Sequence, residues 1–239
     1  MIGYNISKIN ELLDKIGESY NSIGQAMKEG WPTVERTLGE NWIGEDEEAY
    51  TGALADRINE LYANCKTAVN TVVDSITGLG ESWKTFQKQN VIEGSSADDI
   101  KGKIDAPKLK DANVDGTVKR PKRSFDAQTD RGIKSASAGK TCYDAVTDYV
   151  KNVRSKVEGL YSELETNTAF LGTEQSASIK NYLTDMGKSI ADLTTCVKTL
   201  RAHVETLIAN VAKQEGATKD SISSASTSID GVDAEAIKE

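Results

Sequence analysis

Asn41-Trp42-Ile43-Gly44-Glu45-Asp46-Glu47-Glu48 separates two long stretches of helical patterning. Tryptophan, any residue, then glycine suits a tight turn between antiparallel helices. Glycine tolerates the backbone angles at which one helix stops and the next begins. The indole is expected to lie across the open end of the helix pair and keep water off it. The acidic run that follows falls in the first turn of the outgoing helix, where the helix dipole favours negative charge.

On the N-terminal side, Ile6, Ile9, Leu13, Ile16, Tyr20, Ile23 and Met27 recur at alternating steps of three and four, and continue through Val34 and Leu38. That spacing gathers them on one narrow helix face. Pro32 interrupts the pattern, and proline removes a hydrogen bond and crowds the preceding turn. A kink or short break is expected at Gly30-Trp31-Pro32. On the C-terminal side the stripe is Tyr50, Leu54, Ile58, Leu61, Cys65, Ala68, Val72, Ile76, Leu79, Trp83 and Phe86. A helix carrying it would be roughly 65 Å long. Trp83 and Phe86 are expected to anchor its far end by packing.

Residues 1–90 therefore form a helical hairpin, and this hairpin resembles the WXG family, the small ESAT-like substrates of bacterial type VII (ESX) secretion. The resemblance rests on the length, on the helix–turn–helix pattern and on the placement of Trp42 and Gly44. It implies a non-enzymatic helical protein, secreted or held at the cell surface without a cleaved signal peptide and cytoplasmic before export. The implied partners are the type VII secretion machinery or a co-secreted helical protein. Family members usually dimerise. The family's export signal, Tyr-Xaa-Xaa-Xaa-Asp/Glu, follows the second helix of a hairpin. Here only Tyr161-Ser162-Glu163-Leu164-Glu165 has the spacing. It falls inside a helical stretch, where Tyr161 and Glu165 also simply share a face.

A second hairpin follows. Val146, Val150, Val153, Val157, Leu160 and Leu164 make a third stripe, which ends at Thr168-Ala169-Phe170-Leu171-Gly172-Thr173-Glu174. Phe170 and Gly172 hold the positions of Trp42 and Gly44. The fourth stripe is Ile179, Leu183, Met186, Ile190, Leu193, Val197, Leu200, Val204, Leu207 and Val211. The chain thus repeats helix, aromatic-Xaa-Gly turn and helix. Its units are a WXG-like hairpin over 1–90, a flexible or irregular linker over 91–141, a degenerate hairpin over 142–215 and a mobile tail over 216–239. Each large aliphatic side chain left in water forgoes roughly 1.5–3 kcal/mol. The expected fold is therefore all-α: two long antiparallel helical hairpins packed as an elongated four-helix bundle, a monomeric pseudo-dimer. About fifty linker residues, at up to ~3.3 Å each, span the bundle length. That reach permits the hairpins to lie antiparallel, the arrangement favoured here, and allows the parallel one too.

The linker carries Lys119-Arg120-Pro121-Lys122-Arg123. In a chain of net charge −8 this reads as a solvated charge run, with a protease-sensitive site as another reading. Nucleic acid and anionic lipid are not expected partners of so acidic a chain. No run of eighteen apolar residues suggests a membrane span. The N-terminus lacks the basic and apolar regions of a Sec signal peptide.

Cys65, Cys142 and Cys196 have no metal-binding spacing, and an odd count argues against a disulfide framework. Cys65 lies on an apolar stripe and reads as a small core residue. His203 is the only histidine, so no Ser-His-Asp or Cys-His set can be drawn. No strand and no phosphate-binding glycine loop is evident. No catalytic residue, metal or cofactor is expected. Two alternatives to the secretion reading are a membrane-active helical toxin component and a structural coiled-coil assembly protein.

Overall fold

The apolar stripes become four helices. In order, the elements are α1 (Ile6–Asn41), β1 (Trp42–Ile43), α2 (Glu45–Gln89), β2 (Gly132–Ile133), α3 (Ala136–Thr168) and α4 (Thr173–Gln214). The structure, a computed structural model, describes residues 6–89, 116–123, 132–168 and 173–214. Phe170, Gly172 and the 216–239 tail lie outside the described residues, as do the side chains of Ile6, Trp83, Phe86, Leu207 and Val211.

The helices form one four-helix bundle around a single core. Around the ring the order is α1, α3, α4, α2, each packed on the next, with α2 closing on α1. Contacts along the seams fix the directions. Tyr149 on α3 reaches Met27 on α1, while Cys142, earlier on α3, lies beside Thr37, later on α1. Tyr50 on α2 reaches Cys196 on α4, and Asn64 reaches Ser189. Within the first hairpin the rings of Tyr20 and Tyr62 stack 5.1 Å apart. Each hairpin is therefore laid antiparallel on the other. The Trp42 turn meets the start of α3 and the end of α4, and the helix ends flanking 169–172 lie at the opposite pole.

The stripes read from spacing fill the interior. Leu13, Ile23, Leu54, Leu61, Val153, Leu160, Ile179 and Leu200 are fully buried. Burial extends beyond those rows to Trp31, Tyr62, Val69, Tyr143 and Tyr149. Every helix touches two neighbours, which needs a wider apolar face than the narrow seam of a two-stranded coiled coil.

Several expectations need correction. No break occurs at Pro32, which lies inside the unbroken helix α1. Proline leaves the Lys28 carbonyl without its helical donor, but buried Met27, Trp31, Val34 and Leu38 hold the helix on both sides of it. Tyr149 locks the same turn: its hydroxyl donates to the Met27 carbonyl at 3.0 Å, and its ring crosses Gly30 where a Cβ would collide. Helix α3 begins at Ala136, ahead of the expected start at 142. The Ser135 hydroxyl accepts from the Ala138 N–H at 3.0 Å, an N-cap that places the start there. The chain also has a short strand pair, β1 with β2, which periodicity over two residues cannot reveal.

Candidate functional site: the Trp42 turn and the strap across the first hairpin

Gly44 has φ 128°, a conformation closed to side chains with a Cβ. Its carbonyl accepts the N–H groups of Glu47 and Glu48 at 3.2 and 3.3 Å, which starts α2. Trp42, just before it, is 3% exposed. The indole lies 5.6 Å from the Tyr50 ring and 5.1 Å from that of His203. The pairing with His203, near the end of α4, is close to parallel at 29°. Trp42 also pairs in antiparallel register with Ile133, and Ile43 with Gly132. The Lys134 N–H donates to the Asn41 carbonyl at 3.0 Å, extending the ladder. Tyr50 completes the site by donating its hydroxyl to the Cys196 carbonyl at 3.1 Å. The turn thus joins all four helices at one pole of the bundle. His203 is half-buried on the indole face.

Residues 116–123 cross the outside of the first hairpin as an extended strap. Gly116 allows the closest approach, because a Cβ there would fall 2.8 Å from both the Gly24 Cα and the Tyr62 ring. Asn59 on α2 clasps the backbone of Val118: its Oδ1 accepts the Val118 N–H at 2.8 Å, and its Nδ2 donates to the Val118 carbonyl at 3.0 Å. The Val118 side chain is buried. The Trp31 indole N–H donates to the Lys119 carbonyl at 3.1 Å. Beyond it, the Arg120 guanidinium pairs through two nitrogens with the Asp56 carboxylate.

Arg123 goes deepest. Its Nε and Nη2 donate to the two oxygens of Glu47 at 3.0 and 3.1 Å, and Nη2 also donates to the Glu35 carbonyl at 2.6 Å. The guanidinium lies over Gly39, where a Cβ would collide with it. Glu47 is 1% exposed and also accepts from the Thr51 hydroxyl at 2.8 Å. A carboxylate so far from water needs this pairing. The expectation of a solvated charge run is therefore overturned for Arg123; Arg120, though paired with Asp56, is exposed. Lys119 and Lys122 are exposed as well.

The remaining sequence candidates fall in different places. Tyr161 is half-buried against the core and Glu165 is exposed, both within α3. Cys65 is fully buried, and burial pushes its thiol up to about 12. The Cys142 thiol is also pushed up to about 12, by burial first and then by the Glu47 charge. The Cys196 thiol is raised as well, chiefly by burial. A raised thiol is a poor nucleophile at neutral pH. Among the described residues no group of His, Cys, Asp and Glu is placed to hold a metal ion. No helix among them is long and apolar enough to cross a membrane.

Sequence reasoning missed Trp31, Glu47, Asp56 and Asn59. One signal was present: Gly52, Asp56 and Asn59 recur at helical spacing on α2, a small and polar row beside an apolar one. Comparison of the chain with family models, with curated proteins and with solved structures found no match.

Proposed function

We propose that this chain is a non-enzymatic WXG-like protein of a bacterial type VII (ESX) secretion system, acting through helix–helix contacts as a secreted substrate or as a chaperone or adaptor. The reading is carried by the Trp42-Ile43-Gly44 turn: a buried indole and a positive-φ glycine joining two long antiparallel helices. The second hairpin supports it by covering the stripes of the first, the role a second subunit plays in the proteins this one resembles. Because α1 ends at Trp42 and α2 and α3 begin beside it, the pole presents helix ends and a short ladder that a partner helix or an export component could grip.

Tyr161 and Glu165 sit within helix α3, the one half-buried and the other exposed, so they are poorly placed to act as a free tail signal. Export in company with a partner fits that placement better than export alone. The deciding experiment follows a tagged full-length chain in culture supernatant. The proposal requires that it appears there in wild-type cells and stays in the cells when the type VII ATPase is deleted. Equal release from both strains would refute the proposal.

A further inference from the structure

The strap is bound in the way a folded domain binds a foreign peptide. Residues 116–123 contribute no helix and no strand. They are held almost wholly by side chains of the first hairpin that address the strap's backbone or its two arginines. Asn59 reads both the N–H and the C=O of Val118, and Trp31 reads the Lys119 carbonyl. A main-chain clasp of this kind accepts any extended segment. Selectivity comes from the subsites: no side chain at 116, a buried apolar one at 118, and carboxylates for the cations at 120 and 123.

We infer that the outer groove of the first hairpin is a recognition site for an extended basic segment of a partner protein, which the chain's own strap occupies and blocks. The occupant has a glycine, an apolar residue two positions on, and arginines two and five positions beyond that. Charge complementarity favours this partner: the groove contributes Asp56 and the buried Glu47 from a chain of net charge −8. A recess of about 310 Å³ adjoins Arg120 and Pro121 and is lined by Glu45, Glu48, Ala49 and Gly52. It adds two more carboxylates beside the cationic subsite and leaves room for a side chain larger than proline at 121. A partner segment must displace a competitor tethered in the same chain, at an effective concentration on the order of millimolar. The groove therefore stays closed to weak ligands and opens to strong or multivalent ones. The site does not depend on the secretion proposal, since it needs only the first hairpin's surface.

The test uses the full chain and a fluorescein-labelled peptide of residues 115–124, Asp-Gly-Thr-Val-Lys-Arg-Pro-Lys-Arg-Ser. A chain carrying Val118→Asp and Arg123→Ala, with its strap disabled, should bind the peptide saturably by anisotropy, at least about tenfold more tightly than the unaltered chain, which must first release its strap. Adding Asn59→Ala should weaken that binding by about tenfold, the worth of two hydrogen bonds. A scrambled peptide of the same composition should not bind. If the doubly altered chain fails to fold, Val118→Ala, which only loosens the strap, takes its place and should rank between the two. No binding to a folded, strap-loosened chain overturns the inference. So does equal binding of the scrambled peptide, which would reduce the effect to bulk charge. A dimer of the unaltered chain that dissociates on Val118→Asp would give the groove to a second copy and overturn the partner assignment.

Discussion

Arg123→Ala removes the cation from a carboxylate that water cannot reach. Glu47 is 1% exposed and receives Nε and Nη2 of Arg123 together with the Thr51 hydroxyl. After the substitution only the Thr51 hydroxyl and the N-terminal end of α2 remain to stabilise its charge. Breaking one side of a buried pair costs about 3–5 kcal/mol, against 0–1 kcal/mol for an exposed one. The Arg123 side chain is itself 25% exposed and Thr51 persists, so the lower end applies, about 3 kcal/mol. In a protein of this size that lowers the melting temperature by about 6–12 °C. Glu47→Gln should cost less, about 1–2 kcal/mol, because the guanidinium left behind can still reach water and the Glu35 carbonyl. The double variant should then cost at least ~1 kcal/mol less than the two single losses together. Urea and thermal unfolding followed by far-UV circular dichroism give all three values. A loss below ~1 kcal/mol for Arg123→Ala would show that the strap is not docked as described.

Leu200→Asp puts a charge at a fully buried point of the α4 seam and should abolish the cooperative melt or lower its stability by more than about 4 kcal/mol; an unchanged melting curve would mean the seam is wrongly drawn. Trp42→Ala should cost about 3–5 kcal/mol in the same assay, because the indole is core to the pole it closes, between Tyr50 and His203; a loss under ~1 kcal/mol would place Trp42 on the surface. Stability should fall at alkaline pH. The Cys65 and Cys142 thiols are held at about 12 in the fold, above the ordinary value of 9.0, so the unfolded chain releases these protons first. Their contribution is whole below about pH 9 and is lost as pH rises from there towards 12. Cys65→Ala should flatten that decline in urea midpoints measured across the range, and an unaltered slope would contradict the assignment.

The bundle was legible because its information is local. A three-four spacing of Leu, Ile and Val in four separate runs fixes four helices, and exposed apolar stripes force them together. The placement of Trp42 and Gly44 was legible for the same reason, since a turn needs few residues. The relative direction of the hairpins was not, because a long linker permits both arrangements; side-chain pairs such as Tyr149 with Met27 and Tyr50 with Cys196 decide it. The strap was hidden for another reason. It is held by side-chain-to-backbone hydrogen bonds and two ion pairs, which leave no period in sequence. Arg123 looks like any surface arginine until Glu47, seventy-six residues earlier, is seen to be buried beside it. Glu47 itself read as a dipole-complementing residue of the first turn, which accounts for its sign but not for its burial.

Because both halves of the bundle belong to one polypeptide, its assembly is a unimolecular event. Two separate chains would come apart on dilution, with a melting point that follows their concentration. Here the halves cannot drift apart, and the melting point should be the same in a concentrated cell interior and in a large extracellular volume. Such a protein could cross from one setting to the other without losing its fold to mass action.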